Sequence, residues 1–462
     1  MRGHAALLVA LLLIAGCSRR EHLNPFDPDN PTTGGRPTGF AALAGNAQVA
    51  VRWQAASERG VLGFQIFRRV EGETVFSPLT DLLPPSQSGY KDYGLANGVE
   101  HHYRLYYVFP QGVSGTPAED SAIPGPLVPW VTDLSAASLL RLTADGRHVA
   151  SAESGFRGPT QLAVDPASGV VWISDTFDGS VVIYNPQNLT RTAVRGFGSP
   201  TSIAVDRTSH EAWICDEDRN SLYHLTSGGD AASPALIAPL SLPISVAVDP
   251  GDGSVWVCEN EGQPDRSVRH FRSDGTPIAS APVERPSRVA VDDTRGEAWV
   301  TSFQRQQVHR ISPAGAILNT ISRFSGPIGI AVDASRDRVW VADTRADAVI
   351  ALNLGGDEVL RVSGLSEVRE VAVDAATGDA WATLPGSGEI VSISGDGSIR
   401  VRLGGLSQPY AIALDPGTHE TPLPRLIPAG LRRDPAPHRD PPRPGDAPPP
   451  GARAPVCPRQ KL

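Results

Sequence analysis

Four cysteines in 462 residues leave little material for covalent bracing. With Cys17 set aside, Cys215, Cys258 and Cys457 remain, an odd number that builds no disulfide framework. Long apolar runs are equally scarce. The single one, residues 5–14, has about half the length needed to cross a bilayer, so no spanning helix is expected. Charge is sparse and uneven around a formal net of −9. Only two lysines occur, and residues 421–462 hold seven Arg and one Lys against three Asp, a local net of +5. Residues 1–420 therefore carry −14, and an acidic body argues against nucleic acid as a partner. Catalytic signatures are missing too. The chain shows no nucleophile–base pair, no phosphate loop and no HExxH-type zinc motif, so no reaction or cofactor can be assigned from it.

What the sequence does contain is a ladder of tryptophans: Trp130, Trp172, Trp213, Trp256, Trp299, Trp340 and Trp381. The steps between them are 42, 41, 43, 43, 41 and 41 residues. Seven residues before each of the last six stands an aspartate, at Asp165, Asp206, Asp249, Asp292, Asp333 and Asp374, and Asp415 continues the series. A fixed period near 42 means one supersecondary unit repeated. Aligned on the aspartates, the template is Pro-x-x-(Ile/Leu/Val)-Ala-(Val/Leu)-Asp, six residues, then Trp-(Val/Ile). Val368 alone breaks the proline column, and the alanine stands in every copy. Further β patterns follow, as in Ser180-Val-Val-Ile-Tyr184, so four short strands and their turns fill each period. Such sheets crowd at their inner strands, where alanine fits, and open outward, where tryptophan fills the gap.

The strings Ser325-Gly-Pro-Ile-Gly-Ile-Ala-Val-Asp333 and Val339-Trp-Val-Ala-Asp343 resemble the NHL and YVTN class of β-propeller. The likeness runs over residues 127–420 and implies an all-β fold of four-stranded blades. Trp130 lacks the Pro-x-x-Ile-Ala-Val-Asp segment before it, and Asp415 lacks a tryptophan after it. Six whole repeats plus two complementary fragments predict a seven-bladed propeller in which residues 408–415 complete the Trp130 blade. Such closure removes exposed sheet edges.

Ahead of the array, residues 37–125 alternate in Val49-Ala-Val-Arg-Trp53, Phe64-Gln-Ile-Phe67 and Tyr103-Arg-Leu-Tyr-Tyr107. With Pro37, Trp53, Asp92, Leu95, Gly98 and Gly112-Val-Ser-Gly115 they resemble a fibronectin type III β-sandwich, in which His101 or Tyr103 would take the place of the tyrosine that bonds upstream backbone. Residues 1–16 read as a targeting segment. Ile14-Ala15-Gly16-Cys17 resembles a bacterial lipobox; the alternative is an ordinary secretion signal that holds a cysteine. The resemblance implies lipid on Cys17, a membrane anchor without a spanning helix, and, from Ser18, the outer membrane or cell surface, with the periplasmic side as the other location. Residues 17–36, rich in Pro and Gly, are expected to form an extended tether. The template fails from Thr421, and the thirteen prolines of residues 421–462 predict a disordered tail. That tail is either a genuine basic extension or the product of a reading-frame change near codon 421.

Three groups of residues are candidates for a site. Asp133, Asp175, Asp216, Glu259, Ser302, Asp343 and Leu384 stand three residues past the tryptophans. They are expected to accept backbone N–H bonds in their own turns rather than hold a metal. His224 and His270 share a third-strand column with Arg141, Ile183, Arg310, Ala351 and Ser392, which suits a half-exposed outer position. Just after the column proline, where packing stops dictating the residue, stand Thr160, Gln161, Thr201, Ser202, Arg288, Arg369, Glu370 and Tyr410. These are expected to ring one mouth of a central channel and to hold a protein or glycan, with arginine offering a forked donor and tyrosine an apolar face. The expected function is non-enzymatic binding from the cell envelope, with no cofactor and no metal. The alternative is a metal-dependent lactonase or lyase, which needs an acid–Asn–acid cluster near the axis that no column supplies.

Overall fold

In the strand His101–Phe109 buried side chains alternate with half-exposed ones over the first eight positions. This is the period of two that packs one face of a sheet and wets the other. The computed structural model describes residues 24–57, 60–226, 235–261 and 267–417. The targeting segment, Cys17, His419 and the tail at 421–462 lie outside them. The chain divides between Pro124 and Gly125.

In the first unit Ala41–Gly45, Gln48–Arg52 and Gly89–Tyr93 form a three-stranded antiparallel sheet. A second sheet runs Ser77–Pro78, Gly63–Val70, His101–Phe109 and Gly112–Val113, and Ala118–Ala122 also pairs with His101–Phe109. Trp53, just past the first sheet, packs on Phe64 of the second with ring centroids 5.5 Å apart. The hydroxyl of Tyr103 departs from expectation. It donates to the Asp92 carboxylate at 2.9 Å, not to upstream backbone, and Arg68 Nη1 reaches the same group at 2.8 Å. The physical reason is that Asp92 is buried, and a buried carboxylate requires donors. Residues 24–36 also depart from an extended tether. Asn24, Asp27 and Asn30 fold them into successive turns through side-chain bonds to backbone, and Phe26 docks edge-on against Tyr107 at 5.1 Å and Phe109 at 5.2 Å.

Among the described residues, the second unit contains seven four-stranded antiparallel sheets. Every column alanine lies opposite its column tryptophan, from Ala163 opposite Trp172 to Ala372 opposite Trp381. All seven indoles are at most 4% exposed. Each buries on the order of 200 Å², worth about 5 kcal/mol before chain entropy. One sheet joins the two ends of the unit: Pro409–Asp415 pairs with Val128–Asp133, setting Ala413 opposite Trp130. The first strands of consecutive sheets touch around a closed ring, ending where Pro409–Asp415 meets Pro159–Val164.

The aspartate column closes turns. Asp165, Asp206, Asp249, Asp292, Asp374 and Asp415 each accept the backbone N–H two residues on, at 2.8 to 3.0 Å. Four residues after the column aspartate the backbone turns left-handed at Gly169, His210, Gly253, Gly296, Asp337 and Gly378, with φ between 54° and 79°. The residue types that tolerate positive φ therefore sit where the chain requires it. Cys215 and Cys258 are both fully buried free thiols on adjacent sheets, and burial raises both thiol pKa values.

Candidate functional site

The column proline shapes the start of each first strand. Proline cannot donate to a ladder, and the register slips at Pro159/Gln161, Pro200/Ser202, Pro243/Ser245, Pro327/Ile330 and Pro409/Ala411. Bulges of this kind free a residue from pairing and re-aim its side chain. Thr160, Thr201 and Tyr410 occupy such positions. In the Trp299 sheet pairing starts directly at Arg288, and Arg369 and Glu370 stand just ahead of Val371–Val373.

The structure draws part of this set together. Glu370 Oε2 accepts from Arg288 Nε at 3.4 Å and from Gln161 Nε2 at 3.2 Å. The three residues come from the Trp381, Trp299 and Trp172 sheets, no two of which adjoin, so their side chains cross the interior of the ring. Arg288 Nη1 also donates to the Ile244 carbonyl at 3.1 Å. The Arg369 guanidinium lies over the Tyr410 ring, 3.8 Å from its centroid. Arg369 Nε is buried without a hydrogen-bond partner among the described residues.

Burial is the main cause that pushes the Arg369 pKa below its ordinary value; Arg288 adds to it, while Tyr410 and Glu370 oppose it. An arginine stays protonated regardless. Two guanidinium groups against one carboxylate leave one positive charge at the centre of the ring. Arg369 is half-buried with the Tyr410 ring against it, so its guanidinium can meet an anionic group, above all a carboxylate or sulfate suited to a forked donor.

Thr160, Thr201 and Ser202 stand outside that cluster. Thr160 meets the Thr176 hydroxyl, which donates to the Pro200 carbonyl of the next sheet at 2.6 Å. Thr201 Oγ1 donates to the Pro243 carbonyl at 3.2 Å, and Ser202 Oγ accepts Val246 N–H at 3.1 Å. Their hydroxyls satisfy backbone groups of the neighbouring sheet that the bulges leave unpaired. The same clasp recurs at Thr301 to Ile328, Thr344 to Val368 and Thr383 to Tyr410.

The acids past the tryptophans accept backbone N–H groups, Asp133 and Asp216 partly within their own turns, from Ala136 at 3.1 Å and Arg219 at 3.2 Å, but chiefly across a loop. Asp175 accepts Gly158 N–H at 2.7 Å, Asp216 accepts Gly198 and Ser199 at 2.8 Å, and Asp343 accepts Gly326 at 2.6 Å. Each thereby pins the loop that leads into the first strand of its own sheet. Asp133 does the same to Ser407 and Gln408, at 2.8 and 2.9 Å, across 274 and 275 residues. His270 is buried, not half-exposed: it stacks on Trp256 at 4.0 Å, and its Nδ1–H donates to the Pro313 carbonyl at 2.9 Å. His224 keeps a partly exposed position, stacked on Trp213 and paired with Glu211 at 3.0 Å.

One residue near the strand starts was missed in the sequence. Phe177 follows Thr176 and is 57% exposed, its ring seated against Gly158, where a Cβ would stand 2.3 Å from it. The signal was Gly158 just before the column proline, which leaves space for a ring.

Among solved structures, a catalytically inactive virginiamycin B lyase from Staphylococcus aureus with quinupristin is similar to this chain. Identity is 17% and TM-score 0.50, covering 63% of this chain and 97% of that one. A functionally unknown protein from Desulfotomaculum acetoxidans is similar at 15% identity and TM-score 0.52, covering 62% and 98%. No family model matches the chain, and no curated protein matches its sequence. At such identities the likeness is one of fold: the chain is all-β and its second unit is a β-propeller.

Proposed function

We propose that this chain is a lipid-anchored binding protein of the cell envelope, in which a fibronectin type III-like sandwich accompanies a seven-bladed, non-enzymatic propeller. The blade count rests on seven four-stranded sheets closed by Pro409–Asp415. The sandwich reading rests on two antiparallel sheets that share Trp53 and Phe64. The anchor rests on the sequence around Cys17.

The convergence of Arg288, Glu370 and Gln161 inside the ring, beside the Arg369–Tyr410 stack, carries the binding reading. Its chemistry fits a protein or glycan that presents a carboxylate or sulfate. Such a ligand would engage Arg369 and compete with Glu370 for Arg288. The test is affinity capture from envelope extract with the wild-type protein and with Arg288→Ala/Arg369→Ala. The double variant loses the captured partner while its melting temperature stays within a few degrees. A partner retained by the double variant at unchanged affinity refutes the site.

A further inference from the structure

The seven sheets act as controls for one another, and the gap beside Trp172 differs from those beside Trp256, Trp299 and Trp340. The residue opposite each column tryptophan on the third strand faces the next sheet. In the Trp256 sheet His270 covers the indole and bonds across the gap to Pro313. In the Trp299 sheet Arg310 bonds to Glu297 at 2.6 Å and crosses to the Leu354 carbonyl at 2.9 Å. Arg141 and Tyr184 lie against Trp130, and His224 stacks on Trp213. Where that residue is Ala351, Arg336 reaches the next sheet instead, at the Ala376 carbonyl, 2.7 Å away. Where it is Ser392, the Trp381 ring itself fills the space above Gly146.

Opposite Trp172 stands Ile183, which can neither cross the gap nor bond to anything in it. A cavity of about 470 Å³ remains there. Its size falls in the range of small-molecule sites, roughly 300–1,000 Å³. Ile183 and Val170 give it an apolar wall, with the buried Trp172 behind them, and Asn185 and the exposed Thr190 and Thr192 supply neutral polar groups from the third and fourth strands. Asp165 and His210 also line it, joined at 3.1 Å. His210 holds φ at 61°, a backbone conformation filled by glycine or aspartate in the other described sheets. Asn185 Nδ2, Thr192 Oγ1 and His210 Nε2 make no hydrogen bond among the described residues.

We infer that this gap is a binding site for a short neutral saccharide, separate from the arginine cluster. A sugar ring has an apolar C–H face for the Ile183–Val170 wall and hydroxyls that both donate and accept, matching amide, hydroxyl and imidazole. The Asp165 carboxylate disfavours an anion. It already accepts from Ala167 N–H, Ser168 and His210, which leaves it ill suited to capture a free cation. The polar groups of the third and fourth strands disfavour a lipid chain.

The test is saturation-transfer NMR on the whole protein with methyl glucoside, methyl galactoside, N-acetylglucosamine and maltose. At least one of these receives transfer from the wild type. Ile183→His, which installs the plug used by His270, weakens that binding about tenfold or more, a loss of the order of 1.4 kcal/mol. Asn185→Ala/Thr192→Val, which gives up no bond across the gap and only the Gln187 N–H bond to Asn185 Oδ1 within its own turn, does the same with a melting temperature lowered by no more than a few degrees and serves if Ile183→His fails to fold. Arg288→Ala/Arg369→Ala leaves the sugar signal intact. Absence of transfer to all four sugars overturns the inference, as does transfer that survives both cavity variants.

Discussion

Deleting residues 408–462 is expected to open the second unit, whereas deleting 421–462 is expected to leave it closed. The strand Pro409–Asp415 feeds two clusters at once. Ile412 packs with Val131, Leu140, Trp381 and Ile390, and Ala411 packs with Trp130, Phe156 and Leu162. Losing the Ile412 contacts costs about 3 kcal/mol on the scale of large-to-small core changes. The paired residues with Val128–Asp133 contribute about 1 kcal/mol net per bond, which the regained freedom of the strand roughly offsets. Asp133, 2% exposed, would lose the Gln408 N–H, which adds about 1–2 kcal/mol. The sum is about 4–5 kcal/mol, or roughly 8–20 °C at 2–4 °C per kcal/mol for a domain of this size. The strand Val128–Asp133 also becomes an unpaired edge that invites association. Thermal unfolding followed by tryptophan fluorescence, with size-exclusion chromatography, reads both effects. Ile412→Ala in the full chain isolates the packing part at about 3 kcal/mol. Equal melting temperatures for the two truncations would refute closure by the terminal strand.

Cys17→Ser should move the protein from the membrane to the soluble fraction, since lipid is the only strong membrane term in the sequence; unchanged sedimentation with membranes argues against the anchor. His309 is buried, with Nδ1 near Thr320 at 3.1 Å and Nε2 unpartnered, and burial lowers its pKa from 6.5 to about 4. The unfolded chain therefore binds a proton that the folded one refuses between those values, and stability falls by about 3 kcal/mol as pH drops from 6.5 to 4. His309→Leu should flatten that window in urea midpoints; parallel curves for the two proteins refute the assignment. A Cβ at Gly146, where φ is 70°, would lie 2.3 Å from the Trp381 ring, so Gly146→Ala should destabilise by about 2–4 kcal/mol. A melting temperature unchanged by that substitution would show that the indole moves aside freely.

The repeat was legible because packing repeats. Trp172 and Trp340 sit in the same local geometry, opposite Ala163 and Ala331, and each copy of the geometry selects the same residue. The turn after Asp206 repeats for a similar reason, His210 holding the left-handed position that Gly253 holds in the next sheet. The mouth was legible only as a place where the template loosens. Whether Thr201 faces a ligand or clasps Pro243 depends on the bulge that the column proline creates, and a bulge leaves no mark in the spacing. His270 was misjudged because its column holds residues as different as Ile183 and Arg310; their common feature is that each faces the next sheet. Phe26 and Tyr103 were misplaced because their partners, Tyr107 and Asp92, lie far along the chain or on another strand.

In a propeller the two kinds of constraint fall on different columns, which gives the departures from the template their meaning. Alanine, tryptophan and the turn aspartates answer to packing within a sheet, so variation there would cost several kcal/mol at each position. Residues that face the ring interior or the gap between sheets answer to whatever lies opposite. Three gaps are closed by different devices, His270 in one, Arg310 in another, Arg336 in a third, each bonding to a carbonyl of the next sheet. A gap that uses none of them, as at Trp172, forgoes that carbonyl bond, about 1 kcal/mol, and is spanned by the His210–Asp165 pair instead. That loss is small enough for selection to tolerate where an open cavity is useful. On this reasoning the arginine cluster and the Trp172 gap are two places where the chain departs from its own pattern: Arg369 Nε is buried without a hydrogen-bond partner among the described residues, and the gap keeps a cavity lined by Asn185 and the exposed Thr192.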